Sequence, residues 1–376
     1  MNAPRRTLRI HALGRVEYED GLALMRIAGD AVRAGASPGT DWLFLLEHPP
    51  VLTFGRGADR SNLIAAPAWL ERQGFELFET DRGGDVTYHG PGQIVGYPVV
   101  DLADRPDVKR YVAALEEAMI RTCADHGVAA TRHEEHRGAW VMGEGGGGKK
   151  IGAVGVHLSR WVTSHGFAFN HAPDLAHFQA IVPCGIADPR LGVTTLQAEL
   201  AARGRALPPR AEVEAALAAH LAAAIGRRTA PGALDLETVS VTALDRDGRV
   251  LLLRRSADRG GFWQQVTGRR EPGEGALAAA RRELAEETGA EGPGVEVVPL
   301  GYAHAFALDP EVNRVRPGGV ALVEETAFAA RLPEGFVVRL SAEHAEAALV
   351  PVDEALRRLR FAGLRRAVKL AAAALR

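Results

Sequence analysis

Residues 268–290, GRREPGEGALAAARRELAEETGA, carry the clearest reading in the chain. From Ala276 to Thr288 the run is rich in strong helix formers, Gly289 is a natural stop, and Pro272-Gly273 marks a turn ahead of it. Glu283, Glu286 and Glu287 then stand at i, i+3 and i+4, on one helix face. Three carboxylates so placed repel one another unless a cation sits among them, and their hard oxygens suit Mg²⁺ or Mn²⁺. On a helix alone the simpler reading is a solvated charged face balanced by Arg281 and Arg282. The preceding Gly-bounded loop, 268–275, with Glu274 reaching toward the helix start, favours a site instead.

Outward from that segment, 376 residues exceed one ordinary domain of roughly 100–200 residues. An Ala-rich helix pattern over 211–225 breaks at 226–232, and a new strand pattern starts at Thr238. The expected domains are therefore 1–230 and 231–376. Hydrophobic residues at 47% and charged ones at 24% match a globular protein. A net charge of −2 argues against a nucleic-acid binder, which would show a basic surplus. The basic start, MNAPRRTLRI, is followed by no apolar run, and nowhere does one approach the ~20 residues that span a bilayer. Two cysteines, Cys123 and Cys184, make a disulfide framework implausible and fit a reducing, cytoplasmic setting.

In the first half, DWLFLL at 41–46 reads as a strand stopped by His48-Pro49-Pro50, and 109–127 as a helix ending at Gly127. That helix turns Cys123 inward as a small core residue. Residues 137–170 read as strand, Gly-rich turn, strand and strand, the turn delivering Lys149 and Lys150 to a strand start. RGGDVTYHGPGQIVGYP, 82–98, mixes Arg, Tyr and His among glycines, a backbone that lets a ligand approach closely and leaves N–H groups to meet it. Cys184, held between Pro183 and Gly185 outside any helical pattern, is a thiol presented on a turn. At neutral pH it needs a nearby cation to become a nucleophile, and Lys150 is the obvious one to bring there, although a lysine on a loop is more often solvated surface. His133-Glu-Glu-His136 lacks the spacing of a helical metal motif and reads as a solvated strand or turn, while His171 and His177 read as structural.

Residues 82–98, then Lys150-Ile-Gly-Ala-Val-Gly155, Ser164-His-Gly-Phe-Ala-Phe-Asn170 and Pro183-Cys-Gly185, resemble in that order the signatures of octanoyl-[acyl carrier protein]:protein N-octanoyltransferases. The resemblance spans roughly 8–225. It implies an α/β (α+β) domain of the lipoate/biotin protein ligase kind, with a mixed sheet flanked by helices. It also implies that Cys184 takes the acyl group from octanoyl-acyl carrier protein as a thioester. Apo lipoyl domains of 2-oxoacid dehydrogenase and glycine cleavage proteins then receive it on a lysine, with no cofactor and no ATP. Lys150 is the catalytic partner. Arg82, Gly83, Gly84, Asp85, Val86, Thr87, Tyr88 and His89 line the substrate site, with Ala153, Val154, Gly155, Gly166, Phe167 and Ala168. The kindred alternative is an ATP-dependent lipoate ligase, for which Phe54-Gly-Arg-Gly57 is the one faint sign.

The segment 268–290 resembles the Nudix box, with Gly268, Glu274, Arg282, Glu283, Leu284, Glu286, Glu287 and Gly289 all in place. This implies an α/β/α sandwich and metal-dependent hydrolysis of a nucleotide-type small molecule. The metal would sit on Glu283, Glu286 and Glu287, with Glu274 and Glu325 as further candidates and Glu324 an equal choice for the last. Phe262-Trp-Gln-Gln-Val-Thr-Gly268 resembles the subgroup acting on dihydroneopterin triphosphate and other nucleoside-diphosphate-linked compounds. A nucleotide-sensing module without turnover is the competing reading of this half.

Overall fold

A computed structural model describes residues 6–375 except 37, 144–145, 183–187, 309, 311–314 and 316–318. Pro183, Cys184 and Gly185, and part of the Gly run, lie outside the described residues. The chain divides into two compact units, residues 1–15 with 25–232, and residues 16–24 with 233–376.

In order, the chain first forms β1 (Thr7–Arg15), α1 (Tyr18–Arg33), β2 (Thr40–Glu47), β3 (Val51–Phe54), α2 (Pro67–Arg72), β4 (Glu76–Glu79), β5 (Val86–His89) and β6 (Gln93–Val99). There follow α3 (Val108–Asp125), β7 (Ala139–Met142), β8 (Gly148–Ser159), β9 (Val162–Asn170), β10 (Leu191–Val193), α4 (Leu196–Ala201), α5 (Arg210–Ile225) and β11 (Arg228–Pro231). The main sheet runs β10-β8-β9-β6-β2-β1-β11, with β7 beside β8, and a smaller sheet runs β4-β3-β5. The main sheet is mixed: β1 pairs in parallel with β2 and β11, whereas β2, β6, β9 and β8 pair antiparallel. The helix α3 is capped by Asp107, whose carboxylate accepts the Arg110 N–H, and it buries Leu115, Met119 and Cys123 against Ile94, Ile151 and Phe169 of the sheet. Each such large apolar side chain contributes about 1.5–3 kcal/mol when fully buried. Burial pushes the Cys123 thiol up to about 12, so it stays an inert core residue.

The stretch 226–232 departs from its expectation as a plain breaker. Gly226 ends α5 in the left-handed region, but 228–231 then pairs with 7–10 as β11. Asp41, wholly buried on β2, explains how that edge is fixed. It accepts from Arg6 Nε (3.0 Å), from Arg227 Nε (2.8 Å) and from the Asp101 backbone N–H (3.1 Å). Asp41→Ala leaves two guanidinium groups without their buried carboxylate. The expected loss is about 3–5 kcal/mol, seen as a fall in the melting midpoint of roughly 6–20 °C by calorimetry. An unchanged midpoint would show that the cluster holds nothing.

The second unit forms β12 (Leu236–Leu244), β13 (Val250–Arg255), β14 (Trp263–Gln264), β15 (Val266–Arg269), α6 (Ala276–Thr288), β16 (Glu296–Ala307), β17 (Leu322–Arg331), β18 (His344–Val350), α7 (Val352–Arg358) and α8 (Ala362–Ala374). Its sheet runs β14-β13-β12-β17-β16, with β15 beside β12 and β18 beside β13. Period-two alternation along β13 sends Leu251 and Leu253 to the α6 side and Val250 and Leu252 to the α7–α8 side. The result is a sheet between helices, with apolar cores on both faces. Among the described residues, no helix is long and apolar enough to cross a membrane.

Candidate active sites

In the first unit a cavity of about 370 Å³ lies where the 82–85 loop, β5, β6, β8 and β9 meet. The loop's glycines are needed for close packing. Gly83 N–H donates to the Val156 carbonyl (3.0 Å), Gly57 N–H to the Gly84 carbonyl (3.2 Å), and a Cβ on Gly55 would lie 2.3 Å from that same oxygen. Arg82 is buried, and its guanidinium ties β3 to this loop. Its Nη2 donates to the Thr53 carbonyl (2.6 Å) and hydroxyl (2.9 Å), and its Nη1 to the Gly83 carbonyl (3.1 Å). Asp85 likewise accepts from the Val86 (2.7 Å) and Asp59 (3.0 Å) N–H groups.

Arg82, Gly83, Gly84, Asp85, Thr87 and His89 border the cavity, as do Lys150, Ala153, Val154, Gly155, Gly166, Phe167 and Ala168. Val86 and Tyr88 do not: they alternate to the opposite face of β5 and pack with Leu52, Phe54 and Ala180, and the Tyr88 hydroxyl meets His177 Nδ1 at 2.8 Å. Lys150 is only 8% exposed. Its ammonium lies 4.9 Å from the centre of the Trp140 ring, and its carbonyl accepts the Thr194 N–H at 3.0 Å.

The cavity also includes residues that reading the sequence did not assign: Tyr97, Val112, Val156, His165, and Glu135, His136 and Arg137 at its rim. His165 has φ of +57° and bonds Asp81 at 2.8 Å. It stands inside the quoted 164–170 segment, which was the available signal. The rings of His133 and His136 lie 4.9 Å apart, tilted by 31°, beside Trp140, as part of a turn.

In the second unit a cavity of about 540 Å³ is bordered by Glu283, Glu286 and Glu287 on one side and by Phe262, Phe306 and Phe361 among its apolar walls. Glu287 is 6% exposed, and burial, helped by the charge of Glu283, raises its carboxyl to about 8. Burial also raises Glu283. Gly268 leaves room for that carboxylate, since a Cβ would lie 1.7 Å from the Glu283 carboxyl carbon and push it aside. Glu286, its side chain 58% exposed, is paired with Arg282 at 3.2 Å. That arginine is the hub of the helix start: its Nε and Nη2 hold both oxygens of Glu274 (3.0 and 2.9 Å), and its Nη1 reaches Glu283 (2.7 Å). Hydrogen bonding from Arg282 holds Glu274 down at about 2, and Glu274 does not border the cavity. Glu325 does, 5% exposed, with His304 Nε2 at 3.4 Å.

Among the described residues, no group of three or more His, Cys, Asp or Glu side chains is gathered to hold a metal ion. The pair Glu283 and Glu287 nonetheless fits a hard divalent cation. Mg²⁺ commonly takes one or two carboxylates plus waters and substrate phosphate oxygens, and a buried and a half-buried carboxylate, both raised by burial, gain most from a cation between them.

Residues 17–222 match the lipoyl protein ligase A/B catalytic domain, and residues 236–370 match the NUDIX domain. The octanoyltransferase of Myxococcus xanthus is 49% identical over 372 residues, covering 98% of this chain and 99% of its own. This chain belongs to the octanoyltransferase family. The octanoyltransferase of Solibacter usitatus, 49% identical over 188 residues, matches 50% of this chain and 82% of its own length. The chain is thus an acyltransferase joined to a NUDIX domain. Among solved structures, the E. coli dihydroneopterin triphosphate pyrophosphohydrolase is 26% identical over 35% of this chain and 92% of its own, with a TM-score of 0.33.

Proposed function

We propose that the first unit moves an octanoyl group from octanoyl-acyl carrier protein to a lysine of an apo lipoyl domain by way of a thioester on Cys184. The observation that supports this most is one cavity gathering the 82–85 loop, His89, Lys150 and the 153–155 and 166–168 segments, which lie far apart in sequence. Lys150 carries a cation into an apolar-walled space, where it favours a thiolate and serves as proton donor and acceptor. Thiolate attack exchanges one thioester for another, and the amine then converts the thioester to an amide, so no ATP is needed. With this donor the reaction belongs in the cytoplasm.

The ligase alternative needs a loop for ATP phosphates. The Phe54-Gly-Arg-Gly57 candidate is already engaged, since the N–H groups of Gly55, Arg56 and Gly57 donate to the carbonyls of Asp85, Arg82 and Gly84. Intact mass spectrometry decides between the two. Mixing with octanoyl-acyl carrier protein is expected to add one octanoyl group, which an apo lipoyl domain removes without ATP. Transfer only from free acid with ATP would overturn the reading in favour of a ligase.

For the second unit we propose hydrolysis of a nucleoside-diphosphate-linked compound. The aromatic walls of its cavity suit a base, and Arg255 and the carboxylate pair stand where a diphosphate and its cation would lie. A bound Mg²⁺ or Mn²⁺ supplies charge neutralisation and an activated water. Glu283 and Glu287 would hold it, and Glu325, 3.4 Å from His304 Nε2 on the same cavity, would serve to orient a water or take its proton.

A further inference from the structure

In the second unit's sheet β17 lies between β12 and β16, and the register sets Glu325 directly beside Thr238 on one neighbour and His304 on the other. All three border the cavity that Glu283 and Glu287 share. Partners so paired stand about 5 Å apart at Cβ, close enough for their polar ends to meet. His304 Nε2 lies 3.4 Å from Glu325 Oε1, and the Thr238 hydroxyl 3.4 Å from Oε2. That hydroxyl is also 3.4 Å from the Glu324 carbonyl, but a carboxylate is the stronger acceptor. Glu324, next along the strand, is turned to the opposite face by strand alternation. The His304 ring is fixed in place. It is 4% exposed and stacks between Tyr302 and Phe306, its neighbours on the same face of β16, at 5.3 and 5.4 Å with interplanar angles of 13° and 24°. On α8, Gly363 leaves room for it, since a Cβ there would lie 1.8 Å from the ring's Cε1. Its Nδ1 faces Asp20 Oδ2 at 3.8 Å, beyond hydrogen-bond reach, so among the described residues the contact from Nε2 to Glu325 is the ring's one hydrogen bond. An ionised carboxylate can only accept, so Nε2 carries a hydrogen.

We infer that His304 and Thr238 are positioning residues for Glu325, each holding one carboxylate oxygen from the strand on its own side, so that Glu325 and not Glu324 takes the proton of the attacking water. The catalytic part rests on the hydrolase reading above. A carboxylate free to turn about its side-chain bonds rarely presents a lone pair in one direction, whereas one held at both oxygens from opposite sides keeps its aim. Each oxygen still has a lone pair to offer the water. As the water oxygen bonds to phosphorus, one of its protons passes to Glu325, and the bridging P–O bond breaks with its electron pair going to the departing phosphate. His304 and Thr238 end as they began. At 3.4 Å both bonds are long, as catalytic hydrogen bonds often are before substrate binds, and they tighten once the carboxylate engages the water.

Long-range ¹⁵N–¹H correlation of the full-length protein, with the His304 signals assigned by their loss in His304→Gln, tests the cradle without substrate or metal. A hydrogen on Nε2 is expected, with an Nε2 signal that moves in Glu325→Gln and stays in place in Glu324→Gln. A bare Nε2, or equal movement in the two variants, overturns the inference. In Mn²⁺-dependent hydrolysis of a panel of nucleoside-diphosphate compounds, Glu325→Gln is expected to lower kcat at least about a hundredfold more than Glu324→Gln. His304→Leu and Thr238→Val should each lower kcat about tenfold with KM within about twofold, as loss of a hydrogen bond to a charged group implies. Glutamine at 304 and serine at 238 keep a donor in place, so His304→Gln and Thr238→Ser should recover most of that loss, which a packing role would not predict. Added to Glu325→Gln, His304→Leu should cost nothing further; losses that multiply would show that His304 does not act through Glu325. If the wild type hydrolyses none of the panel, the hydrolase reading and the catalytic part fall together, while the hold on Glu325 is judged by the spectrum alone.

Discussion

Cys184→Ala is expected to give no acyl-enzyme with octanoyl-acyl carrier protein, and Lys150→Met to form it about 10²–10⁴-fold more slowly, the range that one positioned acid–base group supplies. Methionine keeps an unbranched apolar stem against Trp140 and removes only the charge and the protons. The ammonium it replaces lies 4.9 Å from that ring, on a strand held in register with Trp140 on one side and Val193 on the other. The fold should therefore survive, with circular dichroism and melting close to the wild type. Lys149 supplies the control: it is exposed, and Lys149→Ala should change the rate by less than about twofold, as surface substitutions usually do. Stopped-time mass spectrometry reads both steps. Normal acylation by Lys150→Met would reduce Lys150 to a packing residue.

What could be read from sequence, and what could not, follows from the range of the interactions involved. The α6 helix was legible because its determinants are local: helix formers from Ala276, a left-handed Gly289 at its end and carboxylates at helical spacing. The helix α3 and the strands β7, β8 and β9 followed equally from period and Gly punctuation. Both fold classes match the architecture seen, and the family comparison agrees with them.

The missed features depend on partners distant in the chain. β11 exists because 228–231 finds a free edge on β1, more than two hundred residues earlier. The rim residues Glu135, His136 and Arg137 reach the transferase cavity only because β7 pairs with β8. Within 82–89 the resemblance marked every position alike, yet a strand must alternate, and so Val86 and Tyr88 face the core behind it. Spacing along α6 put Glu283, Glu286 and Glu287 on one face but could not show that Arg282 holds Glu274 and Glu286 and leaves Glu287 buried in the cavity wall.

That last difference separates the carboxylates experimentally. Glu287→Gln is expected to lower metal-dependent hydrolysis by the Nudix unit about 10²-fold or more, whereas Glu286→Gln should cost less than about tenfold. Glutamine keeps the shape of Glu287 and can still accept the Thr267 N–H, which lies 3.4 Å from Oε2. What disappears is the charge of the more deeply buried carboxylate, the other, Glu283, being already paired with Arg282 at 2.7 Å, and with it most of the attraction for a hard cation. Glu286 is largely solvated, with Arg282 3.2 Å away, so its charge contributes little to the field in the cavity. Release of phosphate or pyrophosphate from a panel of nucleoside-diphosphate compounds, titrated with Mn²⁺, measures both variants on the full chain. A raised Mn²⁺ requirement in Glu287→Gln alone assigns the ligand role to that residue. Equal losses in the two variants would restore the three-carboxylate face that helical spacing suggests, and retention of full activity in Glu287→Gln would remove this wall of the cavity from the chemistry.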